Sequence, residues 1–376
     1  MKQIPLLFIT FYLAISCASS VTNQKHKLIQ QTTFEMEHSP EIGKTYSGQT
    51  LYLGGFSGLT FLYKSEDGSL YFQSVTDRGP VAINNKSDRP FLLPDFNPRM
   101  VILKANPTSS TLEVSAEIKL KQANGKPLTG LPNNREQENP IDIFGIYYSV
   151  DQNGLFTKGI VSDGSGGWWI ADEYGPSLAH FNQEAQMTKR LMPDAELPRF
   201  YKNIERNQGF EGVARTSTKL FGFLQSSHPI DKDSPHKFSR IAEVDLETFK
   251  TTAEYHYPFE ANSQNIRDAY ALNEKTFLVL EDNGKDGAEN KKFLFKIFLG
   301  ESDQVVAKNL ILDLNSNAFE NVDKITGVTL IDQNKVGLIF NNQYNIKGPL
   351  NVKTGIVALE PQKNKLLVLE FEKSLL

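Results

Sequence analysis

The chain has 376 residues, a formal net charge of −4 and a single cysteine. One cysteine excludes a disulfide framework, so the fold must be held by its hydrophobic core. No run of Lys and Arg forms a basic patch, which argues against nucleic acid as a partner, and the length suits one large all-β domain.

The N-terminal residues read as an export signal. Lys2 supplies a short positive start, and residues 4–15 form an apolar run that contains Pro5. A membrane-spanning helix needs about 20 apolar residues, so this run is a signal-peptide core rather than a span. It ends in Leu13-Ala14-Ile15-Ser16-Cys17, which resembles the lipobox of bacterial lipoproteins, with Ala14 standing where Leu, Val or Ile is usual. The resemblance implies acylation of Cys17, and Ala18 in place of Asp after it implies the outer membrane. The expected organisation is a signal peptide over 1–16, a polar tether over 17–40 and a folded domain over 41–376. The domain would be exported, anchored to the envelope by lipid alone and facing the periplasm.

Beyond the tether the chain reads as short strands separated by turns. Leu70-Tyr71-Phe72, Trp168-Trp169-Ile170, Thr276-Phe277-Leu278-Val279 and Leu366-Leu367-Val368 are rich in aromatic, aliphatic and β-branched residues. Glu66-Asp67-Gly68, Ser162-Asp163-Gly164 and Asp332-Gln333-Asn334 bracket such runs with turn chemistry. Residues 121–139, rich in Pro, Gly and Asn, predict a long loop, and residues 194–208 a short helix.

A tetrad recurs along the chain: Ser57-Gly58-Leu59-Thr60, Lys158-Gly159-Ile160-Val161, Glu211-Gly212-Val213-Ala214 and Thr326-Gly327-Val328-Thr329. Arg267-Asp268-Ala269-Tyr270 is a copy without the glycine. Each tetrad precedes a turn and a second apolar strand ending in a polar pair. Those pairs are Asp77-Arg78, Asp172-Glu173, Gln225-Ser226, Glu281-Asp282 and Asn341-Asn342. Repetition at roughly 50 residues of a strand pair plus an outer pair predicts an all-β β-propeller with blades of about four antiparallel strands. Five blades are visible. The double interval between Gly58 and Gly159 leaves room for a sixth.

The same residues resemble the phytase-like family, "esterase-like activity of phytase". The stretches that carry the likeness are Gly54-Gly55-Phe56-Ser57-Gly58, Thr76-Asp77-Arg78-Gly79-Pro80, Asn97-Pro98-Arg99, Asp172-Glu173-Tyr174-Gly175-Pro176, Asn207-Gln208-Gly209-Phe210-Glu211-Gly212 and Leu280-Glu281-Asp282. The resemblance implies hydrolysis of an ester or phosphoester. Relatives often carry Glu before the tetrad glycine; here only Glu211 keeps it, and Lys158 and Thr326 stand in two of the other places. Asn342 stands where relatives often have Asp.

In a propeller, inner-strand ends converge on the mouth of the central channel. The residues expected there are Asp172, Glu173 and Glu211 as catalytic carboxylates, with Asp77 and Arg78 binding substrate. Glu211, Asp268, Glu281 and Asp282 are the expected ligands of a hard cation such as Ca2+, which takes oxygen donors and can polarise a phosphoryl or carbonyl oxygen. Each has a structural alternative: Asp caps turns, and Arg78 can pair with a neighbouring carboxylate. The leading expectation is an extracytoplasmic hydrolase of a small ester or phosphoester. A lactonase and a non-catalytic envelope binding or scaffold propeller are its alternatives, the last favoured by Lys158, Thr326 and Asn342.

Overall fold

A computed structural model describes residues 26–376 apart from 84–86, 137, 232–233, 235–236, 262, 286, 316–318 and 320–323. The expected signal peptide and Cys17 lie outside the described residues.

The domain is an all-β propeller of five blades, each a four-stranded antiparallel sheet. From the innermost strand outwards, blade 1 is Phe56–Lys64, Leu70–Thr76, Arg99–Asn106 and Thr111–Lys119. Blade 2 is Thr157–Ser162, Trp168–Asp172, Ser177–Phe181 and Met187–Leu191. Blade 3 is Phe210–Arg215, Lys219–Leu224, Phe238–Asp245 and Thr251–Pro258. Blade 4 is Asn265–Ala271, Thr276–Asp282, Lys292–Phe298 and Ala307–Asp313. Blade 5 takes Ile325–Asp332, Lys335–Phe340 and Lys365–Phe371 from the C-terminal part of the chain, and its outer strand is Leu28–Glu35. The five innermost strands contact one another in cyclic order. A hydrophobic cluster fills each gap between neighbouring blades, as Phe221, Tyr257 and Phe277 do between blades 3 and 4.

Two sequence expectations change. The propeller begins at Leu28, not at 41, because Thr32, Thr33 and Phe34 pair with Val368, Leu367 and Leu366 and close the ring with an N-terminal strand. The long interval between Gly58 and Gly159 is an insertion, not a sixth blade. It contributes to a cap on the channel-mouth face, where Asp88–Pro90 pairs in parallel with Asn139–Ile141. Glu41–Lys44 with Thr50–Tyr52, and Ile346–Asn351 with Ile356–Leu359, complete the cap around Leu92, Phe96, Ile143 and Tyr344. Among its described residues the loop expected over 121–139 has no strand or helix before Asn139 beyond isolated bridges at Lys121, and the short helix expected over 194–208 is a 3-10 turn at Arg199–Asn203.

The tetrads explain how the ring closes. Every innermost strand has a register shift at its tetrad: between Ser57 and Thr60, Thr157 and Ile160, Phe210 and Gly212, Ile266 and Asp268, and Ile325 and Gly327. Such a bulge re-aims the strand and lets neighbouring backbones approach. A Cβ on Gly58 would lie 2.6 Å from Ile160 N, one on Gly159 2.7 Å from Val213 N, one on Gly212 3.0 Å from Ala269 N, and one on Gly327 2.6 Å from Gly58 C. Each tetrad therefore abuts the backbone of the next blade, and glycine is the residue that permits it. Blade 4 carries Asp268 at this level, and its carboxylate accepts a hydrogen bond from Val328 N of the next blade at 2.9 Å.

Ring closure by the N-terminal strand gives a direct test. A chain starting at residue 26 should unfold in one cooperative thermal transition followed by circular dichroism. A chain starting at 41, which loses the strand carrying buried Phe34, should melt far lower or lack a cooperative transition. Equal melting temperatures would refute this role.

Candidate active site

The ladder pairs Phe56↔Thr76, Thr157↔Asp172, Phe210↔Leu224, Ile266↔Glu281 and Ile325↔Phe340 mark one level in all five blades. The next residue on each innermost strand is Ser57, Lys158, Glu211, Arg267 or Thr326. The next on each second strand is Asp77, Glu173, Gln225, Asp282 or Asn341. Of these ten, Lys158, Glu173, Glu211, Gln225, Arg267 and Asp282 contact one another across blades, as do Asp77 and Asn341, whereas Thr326 bonds to Phe56 O and Ser57 is fully buried.

A charge network runs across them. Lys158 Nζ lies 2.8 Å from Glu173 Oε2 and 3.5 Å from Glu211 Oε1. Gln225 Nε2 donates to Glu173 Oε1 at 3.0 Å and to Glu211 Oε2 at 3.2 Å. Arg267 joins Glu211 Oε1, 3.3 Å from Nη1, to Asp282 Oδ2, 2.6 Å from Nε. Across the mouth Asn341 Nδ2 donates to Asp77 Oδ2 at 3.2 Å. Burial pushes the Glu173 carboxyl up to about 7 against the pull of Lys158. Burial raises Asp77 as well, again opposed by Lys158. Burial disfavours the Lys158 ammonium, but Glu173 and Glu211 outweigh it and hold that group above its ordinary value.

The expected site residues divide between this network and the packing around it. Glu173, Glu211, Asp77 and Asp282 are in the network. Asp172 is not: its Oδ1 accepts from the N–H groups of Phe156 and Tyr174, and its Oδ2 from Ser177 and Arg190, so it caps the turn and every lone pair is engaged. Glu281, at the same ladder level, faces away as well; it binds the hydroxyl of Tyr257, Glu260 N at 2.8 Å and Lys308 Nζ at 2.5 Å. Arg78 is buried, with Nη1 2.5 Å from Glu138 Oε2 and 3.1 Å from the Tyr174 hydroxyl, so its charge is spent within the protein.

Glu211, Asp268, Glu281 and Asp282 do not fit a cation. Arg267 sits between Glu211 and Asp282, Lys308 takes Glu281, and Asp268 serves the blade 5 backbone. Among the described residues no three His, Cys, Asp or Glu side chains are grouped to hold an ion.

Two carboxyls that sequence reasoning missed lie on the loop between blades 1 and 2. Glu138 accepts from Arg78, Arg89 and Asn207, and these arginines hold its carboxyl below the usual range despite burial. Glu136 accepts from Asn207 N at 3.2 Å. Burial, with Glu138 and Glu173 adding repulsion, pushes Glu136 up to about 8. Nothing periodic announces this Arg-Glu-Gln-Glu stretch; only the fold brings it to the mouth.

Beside Asn341 and Asn342 a cavity of about 940 Å³ opens between blades 4 and 5 and the cap. Its lining carries Lys291, Lys292, Lys324, Lys363 and Lys365 against Glu35 and Glu360, a positive excess.

A five-bladed propeller with a buried carboxylate–ammonium network at one channel mouth is the class that fold and site define. The description "Phytase-like: Esterase-like activity of phytase" matches residues 51–341, most of the chain, and the protein belongs to that family. The chain is similar to an uncharacterized secreted protein of Arthroderma benhamiae, 28% identical over 200 residues. That match spans 40% of this chain and 39% of the fungal protein, so about two fifths of that relative's length is covered. Among solved structures it is similar to a thermostable family-43 glycoside hydrolase, at 7% identity and a TM-score of 0.43 over 88% of this chain and 96% of that one. It is also similar to a putative glycosidase from Bacteroides thetaiotaomicron, at 10% identity and a TM-score of 0.43 over 90% and 97%. Likeness at this level carries no argument about activity.

Carboxyls raised in the folded state bind more protons there than in the unfolded chain. Their stability penalty is absent below the ordinary carboxyl range and grows as pH rises through about 7 and 8. The melting temperature should therefore fall between about pH 5 and 8, and Glu136→Gln should flatten that decline. An unchanged slope in the variant would refute the assignment of a raised Glu136.

Proposed function

We propose that the protein is an extracytoplasmic ester hydrolase in which Glu173 acts as general base at the channel mouth. The observation that carries the reading is Glu173 itself: a buried carboxyl in the mouth ring, raised to about 7 and held by Lys158 and Gln225. A base is most effective when its pKa lies near the working pH, and a carboxylate at the ordinary value is too weak for this task. The deprotonated Glu173 takes a proton from water as its oxygen attacks the acyl carbon. The Lys158 ammonium, 2.8 Å from Glu173, is placed to balance negative charge developing on the acyl oxygen. Glu211 and Gln225 fix Lys158 and Glu173 in position.

Family membership supports ester hydrolysis, and the N-terminal apolar run together with a secreted relative supports export. A phosphoester is the second reading, favoured by the positive lining of the cavity beside Asn341. No step in either reading runs through a metal ion.

The test is hydrolysis of 4-nitrophenyl acetate and 4-nitrophenyl phosphate by the purified chain. Ester turnover with a rising limb near pH 7, reduced about 100-fold or more in kcat by Glu173→Gln, supports the leading reading. Turnover of the phosphate alone moves the assignment to a phosphoesterase. No turnover of either, or full activity in Glu173→Gln, overturns the hydrolase and leaves a binding propeller.

A further inference from the structure

Among the described residues, Glu136 Oε1, Asn207 Oδ1 and Arg78 Nε are buried polar atoms that find no hydrogen-bond partner and lie on one connected set of side chains. Unpaired buried polar groups are costly and are rare in folded proteins. These three belong to residues that hold one another. Asn207 N donates to Glu136 Oε2 at 3.2 Å, Asn207 Nδ2 donates to Glu138 Oε1 at 3.2 Å, and Arg78 Nη1 donates to Glu138 Oε2 at 2.5 Å. Glu136 is 7% exposed and Arg78 6%. Asn207 is held at φ +53°, a left-handed conformation costly for a residue with a Cβ, and its backbone N–H is thereby committed to Glu136.

The unused atoms amount to one N–H donor, one carbonyl acceptor and one carboxyl oxygen. Arg78 and Arg89 both direct their charge to Glu138. Such a set matches the acceptor oxygens of an uncharged ester together with the hydroxyl of its departing alcohol, which can donate, better than a phosphate dianion that needs unspent positive charge.

We propose that Glu136 is the proton donor to the leaving alcohol oxygen of an uncharged alkyl ester, with Arg78 Nε donating to an ester oxygen and Asn207 Oδ1 accepting from the hydroxyl of the departing alcohol. This rests on the reading of Glu173 as the base. In the step, the water oxygen forms the new C–O bond and its proton passes to Glu173. The C–O bond to the alcohol then breaks, its electron pair leaving with the alcohol oxygen, which takes the proton from Glu136 Oε1. Acid and alcohol are the products; Glu173 ends protonated, Glu136 ends as carboxylate, and exchange with solvent restores both. The charged groups facing Glu136 are Glu138 on its own loop, Glu173 of blade 2 and Arg78 of blade 1. The repulsion of the two carboxylates, added to burial, keeps the proton on Glu136 at neutral pH.

Leaving-group dependence tests this. Nitrophenolate departs without an acid's help, whereas an alkoxide needs it. Glu136→Gln, a near-isosteric change, should lower kcat for ethyl butyrate about 100-fold while 4-nitrophenyl acetate stays within about threefold. The wild type should show a falling limb near pH 8 with the alkyl ester, and the variant should lack it. Equal losses on both esters make Glu136 a structural residue and overturn the proposal. So does a Glu136 carboxyl that titrates in the ordinary range by carbon-13 NMR of the intact protein, a readout independent of turnover. If the wild type hydrolyses neither ester, the Glu173 reading falls first and this proposal with it; loss confined to Glu136→Gln on alkyl esters leaves both standing.

Discussion

The close approach of five bulged strands around the channel is the contact on which the rest of this structure depends. Gly58, Gly159, Gly212 and Gly327 leave no room for a Cβ because each meets the backbone of the next blade. Where blade 4 departs from glycine, Asp268 meets the same need by accepting the Val328 N–H. A carboxyl group in that spot is a structural bond at the cost of deep burial, which pushes its pKa well up and favours its neutral form. The tight ring fixes the level of every blade, and so fixes which side chains just beyond it share the mouth.

That level carries alternating charge. Lys158 lies between Glu173 and Glu211, and Arg267 lies between Glu211 and Asp282. Buried ions are tolerated when each is matched and further hydrogen-bonded, as Gln225 does here for two carboxylates at once. Removing one partner strands another, so the network holds its geometry as a unit. Glu173 is the member poised between states, because burial and Glu211 favour its neutral form while Lys158 favours its charged one.

Much of this fold was legible from residues. The tetrads and the strands that follow them announced five blades, because a bulge at the ring needs Gly at a fixed offset from the second strand. The mouth was legible only to within one residue. Asp172-Glu173 and Glu281-Asp282 look alike as polar pairs, but alternate strand residues face opposite ways, and only the second of each pair reaches the channel. Leu28–Glu35 was hidden because its partners, such as Leu367 and Leu369, lie at the far end of the chain. Glu136 and Glu138 were hidden because a loop's place is set by what it packs on, here Arg78, Arg89 and Asn207, and not by any period of its own.

Lys158, Thr326 and the Asn341-Asn342 pair acquire a physical sense on that basis. A Glu at position 158 would add a third carboxyl beside Glu173 and Glu211, and such a trio needs a counter-charge from outside the chain. Lys158 supplies the counter-charge covalently, at 2.8 and 3.5 Å. Thr326 spends its hydroxyl on Phe56 O of blade 1 at 2.7 Å, so its place in the ring serves blade contact and not charge. Asn341 and Asn342 bind Asp77 and Gly55 through neutral amides, which keeps that side of the mouth free of further repulsion. The outcome is a mouth in which Lys158 and Arg267 are interleaved with carboxyls, and in which burial and these neighbours together hold the Glu173 carboxyl close to its titration point.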